Sequence, residues 1–154
     1  MKYTCPILWD DYVHFEQDFY VNRYINPLMS RGFVSTGNND GDNEIKVFWD
    51  TGTTRTSISY PVAKLLKLIP EETGSIVYSA HGPEEEKTVK INFIVESPDE
   101  SYRFVCINRI VGVHGNKDYK QLDMLLGLDC ISTGNFSLTR TNNHIKLIFN
   151  CNPI

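Results

Sequence analysis

Apolar and polar positions along this chain alternate in short runs, and the runs are closed by turn-forming residues. Ile45, Val47 and Trp49 alternate with Lys46 and Phe48, giving one strongly apolar face. Val89, Ile91, Phe93 and Val95 share a face, with Lys90 and Asn92 opposite. A period of two is the signature of a half-buried strand. Residues 28–36, 45–49, 55–60, 75–80, 86–96, 102–107, 122–126, 136–139 and 145–149 are therefore expected to be extended. Between them lie Gly37-Asn38-Asn39-Asp40-Gly41-Asp42-Asn43, Ser97-Pro98-Asp99-Glu100 and Asn142-Asn143, all rich in residues that favour turns. Residues 61–68 predict a short helix, with Pro61 in its first turn and apolar side chains on one side. A helical turn is expected after Gly127, through Ile131 to Gly134, and the polar stretch 114–120 is expected to be an exposed loop. Many short strands with little helix predict an all-β domain.

Residues 1–27 do not follow this pattern. Tyr3, Trp9, Tyr12, Phe15, Phe19, Tyr20 and Tyr24 mix with acids and keep no clean period up to Asn26-Pro27. The segment is expected to be an extension that packs on a domain spanning residues 28–154, or on a partner subunit.

Length and charge narrow the possibilities. The chain has 154 residues, one domain's worth, enough to bury a substantial core. Acidic side chains exceed basic ones by 19 to 15, for a net charge of −4, so no electrostatic footprint for nucleic acid is present. No apolar run is long enough to span a bilayer, and no apolar leader follows Lys2, so a cytoplasmic protein without membrane association is expected. Cys5, Cys106, Cys130 and Cys151 lack C-x-x-C spacing and are expected to be free, buried thiols. His14, His81, His114 and His144 are scattered, so no metal site is expected. Asn135-Phe136-Ser137 matches a glycosylation acceptor but reads as a strand edge, and Glu84-Glu85-Glu86 reads as a solvated turn. No Ser-His-Asp order, phosphate-binding loop or dinucleotide fingerprint is visible.

The candidate chemistry lies at Asp50-Thr51-Gly52-Thr53, entered from Phe48-Trp49, and at its echo Leu125-Leu126-Gly127-Leu128-Asp129. Each pairs an apolar strand with a glycine turn and a carboxylate nearby. A turn carboxylate ending a strand is the plain alternative for Asp50; the later motif favours a chemical role.

Together the two motifs resemble the retropepsin-like aspartic proteases, over about residues 28–150. The resemblance implies a closed all-β barrel with one or two short helices, working on a peptide or protein substrate without a cofactor. It also implies a homodimer with one catalytic Asp per subunit. Asp50 is then the catalytic acid and base, and Thr51 reaches across to lock the two loops. Gly52 lets backbone approach the acid, and Thr53 offers a hydroxyl to the carboxylate. Ala80, His81 and Gly82 match the flap that covers the cleft, although Pro83 and three glutamates replace a glycine-rich tip. Gly127 is expected to allow a close chain crossing, and Asp129 to cap the following helix. Arg55 departs from the family pattern, where its charge would bear on the acid pair. The C-terminal strand 145–149, with an N-terminal segment, is expected to pair across the dimer. A single Asp-Thr-Gly demands such pairing, because two carboxylates must share one proton. Alternatives are a non-catalytic module of the same fold that binds peptides, or a subunit that pairs with a different chain.

Overall fold

The computed structural model describes residues 7–20, 28–37, 43–79, 82–115 and 122–154. Its elements, in chain order, are β1 (Val13–Tyr20), β2 (Met29–Ser35), β3 (Asn43–Trp49), β4 (Ser57–Ser59), α1 (Tyr60–Leu65), β5 (Glu71–Ser79), β6 (Gly82–Glu96), β7 (Arg103–His114), β8 (Met124–Leu126), α2 (Leu128–Ile131), β9 (Asn135–Thr141) and β10 (His144–Cys151). The larger sheet runs β2-β3-β8-β4-β7-β6-β5, and an additional β2–β6 pairing closes six of these strands into a barrel. Among the described residues β5 pairs with β6 alone, and it stands outside the closure. A second sheet, ordered β1-β10-β9, is antiparallel throughout. Among the described residues, no helix is long and apolar enough to cross a membrane.

Period-two patterning accounts for the strands it marked. Ile45 and Val47 of β3 are buried, as are Val89, Ile91, Phe93 and Val95 of β6. Gly32 sits where β2 pairs with β3 on one side and β6 on the other. A Cβ there would lie 2.9 Å from the Ile94 carbonyl oxygen and collide with Val47, so the crowded corner takes glycine.

The core joins the two sheets through aromatic rings. Trp9 meets Phe104 edge-on at 5.2 Å between centroids, and Trp49 packs near Phe15 at 5.4 Å and Phe149 at 5.6 Å. These contacts place the N-terminal segment, β3, β7 and β10 in one cluster. Edge-to-face aromatic pairs add to the burial of their area. Cys106, Cys130 and Cys151 are buried free thiols in the same core, and burial pushes the Cys106 thiol up to about 12.

Several expectations need correction. The N-terminal segment contains a regular strand: β1 pairs with β10 in unbroken register from Val13↔Cys151 to Tyr20↔His144. Its inward side is Val13, Phe15 and Gln17, and the buried Gln17 breaks the apolar period. Gln17 is satisfied there, donating from Nε2 to the Met29 carbonyl at 2.9 Å and accepting from Ser30 Oγ at 2.5 Å. Trp49 Nε1 donates to that same Ser30 Oγ at 2.9 Å, which ties β1 to the strand that leads into Asp50.

β10 is not a free edge, because β1 and β9 already occupy both of its sides. The strand that begins near residue 102 continues to His114, since β4 pairs with its end. Of the loop expected over 114–120, residues 116–120 lie outside the described residues. The acidic run 84–86 belongs to β6 rather than to a turn, and Glu86 is buried.

Candidate active site

β8 is inserted between two strands that are consecutive in sequence. It runs parallel to β3, with Trp49↔Leu126, and antiparallel to β4, with Ser57↔Leu125. The chain from residue 50 to residue 56 must therefore cross the end of β8. Asp50 opens this crossing, and its N–H donates to the Leu126 carbonyl at 2.9 Å.

Asp50 is half-buried, and its Oδ1 accepts the Gly52 N–H at 2.9 Å. A Cβ on Gly52 would sit 3.2 Å from that oxygen, so the missing side chain keeps the backbone close to the acid. Thr51 and Gly52 are exposed and Thr53 is half-buried. Thr53 is tied through its backbone, with its carbonyl accepting the Leu128 N–H at 2.9 Å. Among the described residues, no bond joins the Thr53 hydroxyl to the Asp50 carboxylate.

The second motif holds the crossing from beneath. Asp129 N–H donates to the Thr54 carbonyl at 3.0 Å, and Gly127 N–H donates to Thr56 Oγ1 at 3.1 Å. A Cβ on Gly127 would lie 2.7 Å from the Arg55 carbonyl carbon and 3.0 Å from the Thr53 oxygen, so only a bare backbone passes here. Asp129 does not cap α2: the N-cap is Gly127, which offers no side chain, and Asp129 lies in the first turn. Its Oδ1 instead accepts the Thr56 N–H at 2.9 Å and the Thr56 hydroxyl at 2.7 Å. Thr56 is fully buried, so both of its donors need an internal acceptor.

Sequence reasoning missed Thr56, Glu86 and the pair Ser57–His114. A run of small hydroxylated residues inside a strand, Thr56-Ser57-Ile58-Ser59, was the available signal, because buried hydroxyls require partners. The Arg55 guanidinium forms an ion pair with Glu86 of β6. Burial lowers the Arg55 pKa, and the nearby Asp129 charge raises it. His114 Nε2 lies 2.7 Å from the Leu122 carbonyl, which can only accept, so that nitrogen carries the proton. Nδ1 then accepts the Ser57 hydroxyl at 2.6 Å. Burial holds the His114 pKa below its usual value.

Of the expected flap, Ala80 and His81 lie outside the described residues. Gly82 begins β6 and pairs with Ser79, and Tyr78 pairs with Pro83, so β5 and β6 form a hairpin arm.

No family model matches the chain, and no curated protein matches it. Among solved structures it is similar to a retropepsin-like aspartic protease from Rickettsia conorii, at 17% identity and a TM-score of 0.55. The match covers 92% of this chain and 96% of that one. At this identity the likeness is one of fold: the chain is a closed all-β barrel of the retropepsin-like kind, with two short helices.

Proposed function

We propose that the protein is an aspartic endopeptidase that cleaves peptides or proteins as a homodimer, with Asp50 supplied by each subunit. The observation that supports this most is the contrast within the crossing. The loop backbone is anchored on residues 126–129, while among the described residues the Asp50 carboxylate bonds to one neighbouring N–H, from Gly52. Such an acid is fixed in place and has lone pairs to spare for a water and a proton.

Two Asp50 carboxylates facing one another across a twofold axis share a single proton, because like charges at that distance cannot both ionise. The pair, rather than either residue, then titrates. The ionised member takes a proton from water, which attacks the substrate carbonyl; the protonated member stabilises the oxyanion and protonates the leaving nitrogen. Thr51, Gly52 and Thr53 complete the loop, and Ala80, His81 and Gly82 serve as the flap that covers the substrate. No cofactor enters this scheme. A second copy adds at the outer strands of the small sheet, β1 or β9, since both sides of β10 are taken. The buried thiols suit a reducing compartment, and the cytoplasm is the proposed setting.

The test is a peptide library incubated from mildly acidic to neutral pH with wild type and Asp50→Asn. Cleavage by wild type alone is expected. A dimeric wild type that cuts nothing under any condition would leave a peptide-binding module of the same fold.

A further inference from the structure

The hairpin arm has a break in its ladder. Glu71 and Glu72 pair with Thr88 and Lys87, and the segment Ile76–Ser79 pairs with residues 82–85, but the register shifts between Glu72 and Ile76. Gly74, with φ of 74°, lies inside this irregularity, where a left-handed backbone favours glycine. Glu86 is the β6 residue opposite the break.

Glu86 is held from both directions. Thr73 Oγ1 lies 3.1 Å from Glu86 Oε2 and 3.2 Å from its carbonyl oxygen, and accepts the Ser75 N–H at 3.2 Å. On the other side Glu86 Oε1 pairs with Arg55 Nη1, from the loop that carries Asp50. The Glu86 side chain is 8% exposed and that of Arg55 18%, so the carboxylate is buried and the guanidinium half-buried. Arg55 reaches β6 by passing over β7 at Gly112, where a Cβ would stand 3.1 Å from Arg55 Cδ. Gly112 N–H in turn donates to the Thr56 carbonyl at 3.0 Å. A buried charge that loses its partner is strongly unfavourable, so the two ends are bound to move together.

We propose that Arg55, Glu86 and Thr73 form a strut at the pivot of the β5–β6 arm, fixing the arm relative to the Asp50 loop. Arg55 and Glu86 are positioning residues, acting on substrate through the hairpin. Below the strut β6 is part of the barrel wall, paired with β7 from Thr88 onward; beyond it the paired segment Ile76–Ser79 with 82–85 swings as a unit. This builds on the proposed peptidase, but its principal test does not depend on activity.

Amide hydrogen exchange is measured on the whole protein for wild type, Glu86→Gln, Thr73→Val and the charge-swapped pair Arg55→Glu with Glu86→Arg. In Glu86→Gln, residues 71–86 are expected to exchange about tenfold faster while β1 and β10 keep their protection. Thr73→Val removes one hydroxyl, is the variant expected to fold if Glu86→Gln does not, and shows the same local pattern at about threefold. The swapped pair recovers part of the protection. Unchanged exchange in the hairpin of a folded variant overturns the strut. So does an equal rise in β1 and β10, which would mark a merely global loss of stability. If wild type cleaves a peptide, Glu86→Gln raises KM about tenfold with kcat within about threefold. Absence of cleavage would count against the peptidase and leave the exchange result to decide the strut.

Discussion

Asp50 and Asp129 lie on either side of one chain crossing, each beside a glycine and an apolar strand, yet the fold treats them in opposite ways. Asp129 is 9% exposed, and one oxygen takes two hydrogen bonds from Thr56. Asp50 is half-buried, and its side chain bonds to Gly52 N–H. The same local ingredients thus yield one acid whose Oδ1 is filled by two donors of its own fold and another that, among the described residues, accepts the Gly52 N–H. Neighbouring donors separate the two roles; residue type does not.

The sharpest way to break the contrast is to exchange the roles by mutation. Asp50→Asn is expected to lower peptide cleavage by about a thousandfold or more, with an unchanged thermal midpoint. Asp129→Ala is expected to do the reverse to stability, costing about 3 kcal/mol in urea unfolding, because it strands two buried donors of Thr56. Asp129→Asn keeps an acceptor and costs about 1 kcal/mol. If Asp129→Ala proves as stable as wild type, the structural assignment is wrong. Gly127→Ala comes next, at about 2 kcal/mol, since the new Cβ would press on the backbone of Arg55. Stability of the Gly127→Ala protein, measured the same way, would expose a crossing looser than the geometry implies.

The smallest effect concerns pH. Burial holds His114 below the ordinary 6.5. In the window between that lowered value and 6.5, the unfolded chain binds a proton that the folded protein does not. Stability therefore declines as pH falls through the window, and is fully present above it. Ser57 and the Leu122 carbonyl contact the ring, while Asp123 and Glu84 act on it through their charge and oppose the shift. His114→Gln is expected to flatten this part of the acid slope, seen as urea midpoints at about pH 7.5 and 5.5 that differ less than in wild type.

Much of the barrel was legible wherever one strand face is apolar and the other polar, as in β3 and β6. The β9–β10 hairpin was legible from Asn142-Asn143, and Asn142 indeed takes a φ of 54° at the turn. β1 was obscured by Gln17, a polar residue facing inward and satisfied by distant partners. In β7 the period fails at Asn108, whose φ of 54° and bond to Asn92 Oδ1 mark a bulge. Ile107 and Ile110 are exposed around it while Val111 is buried, so no single alternation spans the strand. At the site, the Asp50 loop and Gly127 announce themselves through local turn chemistry. Arg55 and Glu86 do not, since an ion pair between a loop and a distant strand leaves no periodic trace in either.

Mixing subunits tests the shared-acid account most directly. Wild type and Asp50→Asn are combined in equal amounts, allowed to exchange, and assayed on one cleaved peptide at fixed total protein. If each active unit needs an acid from both copies, random pairing leaves roughly a quarter of the wild-type rate. A rate of roughly half, linear in the wild-type fraction, would mean that one Asp50 acts alone and would contradict the account.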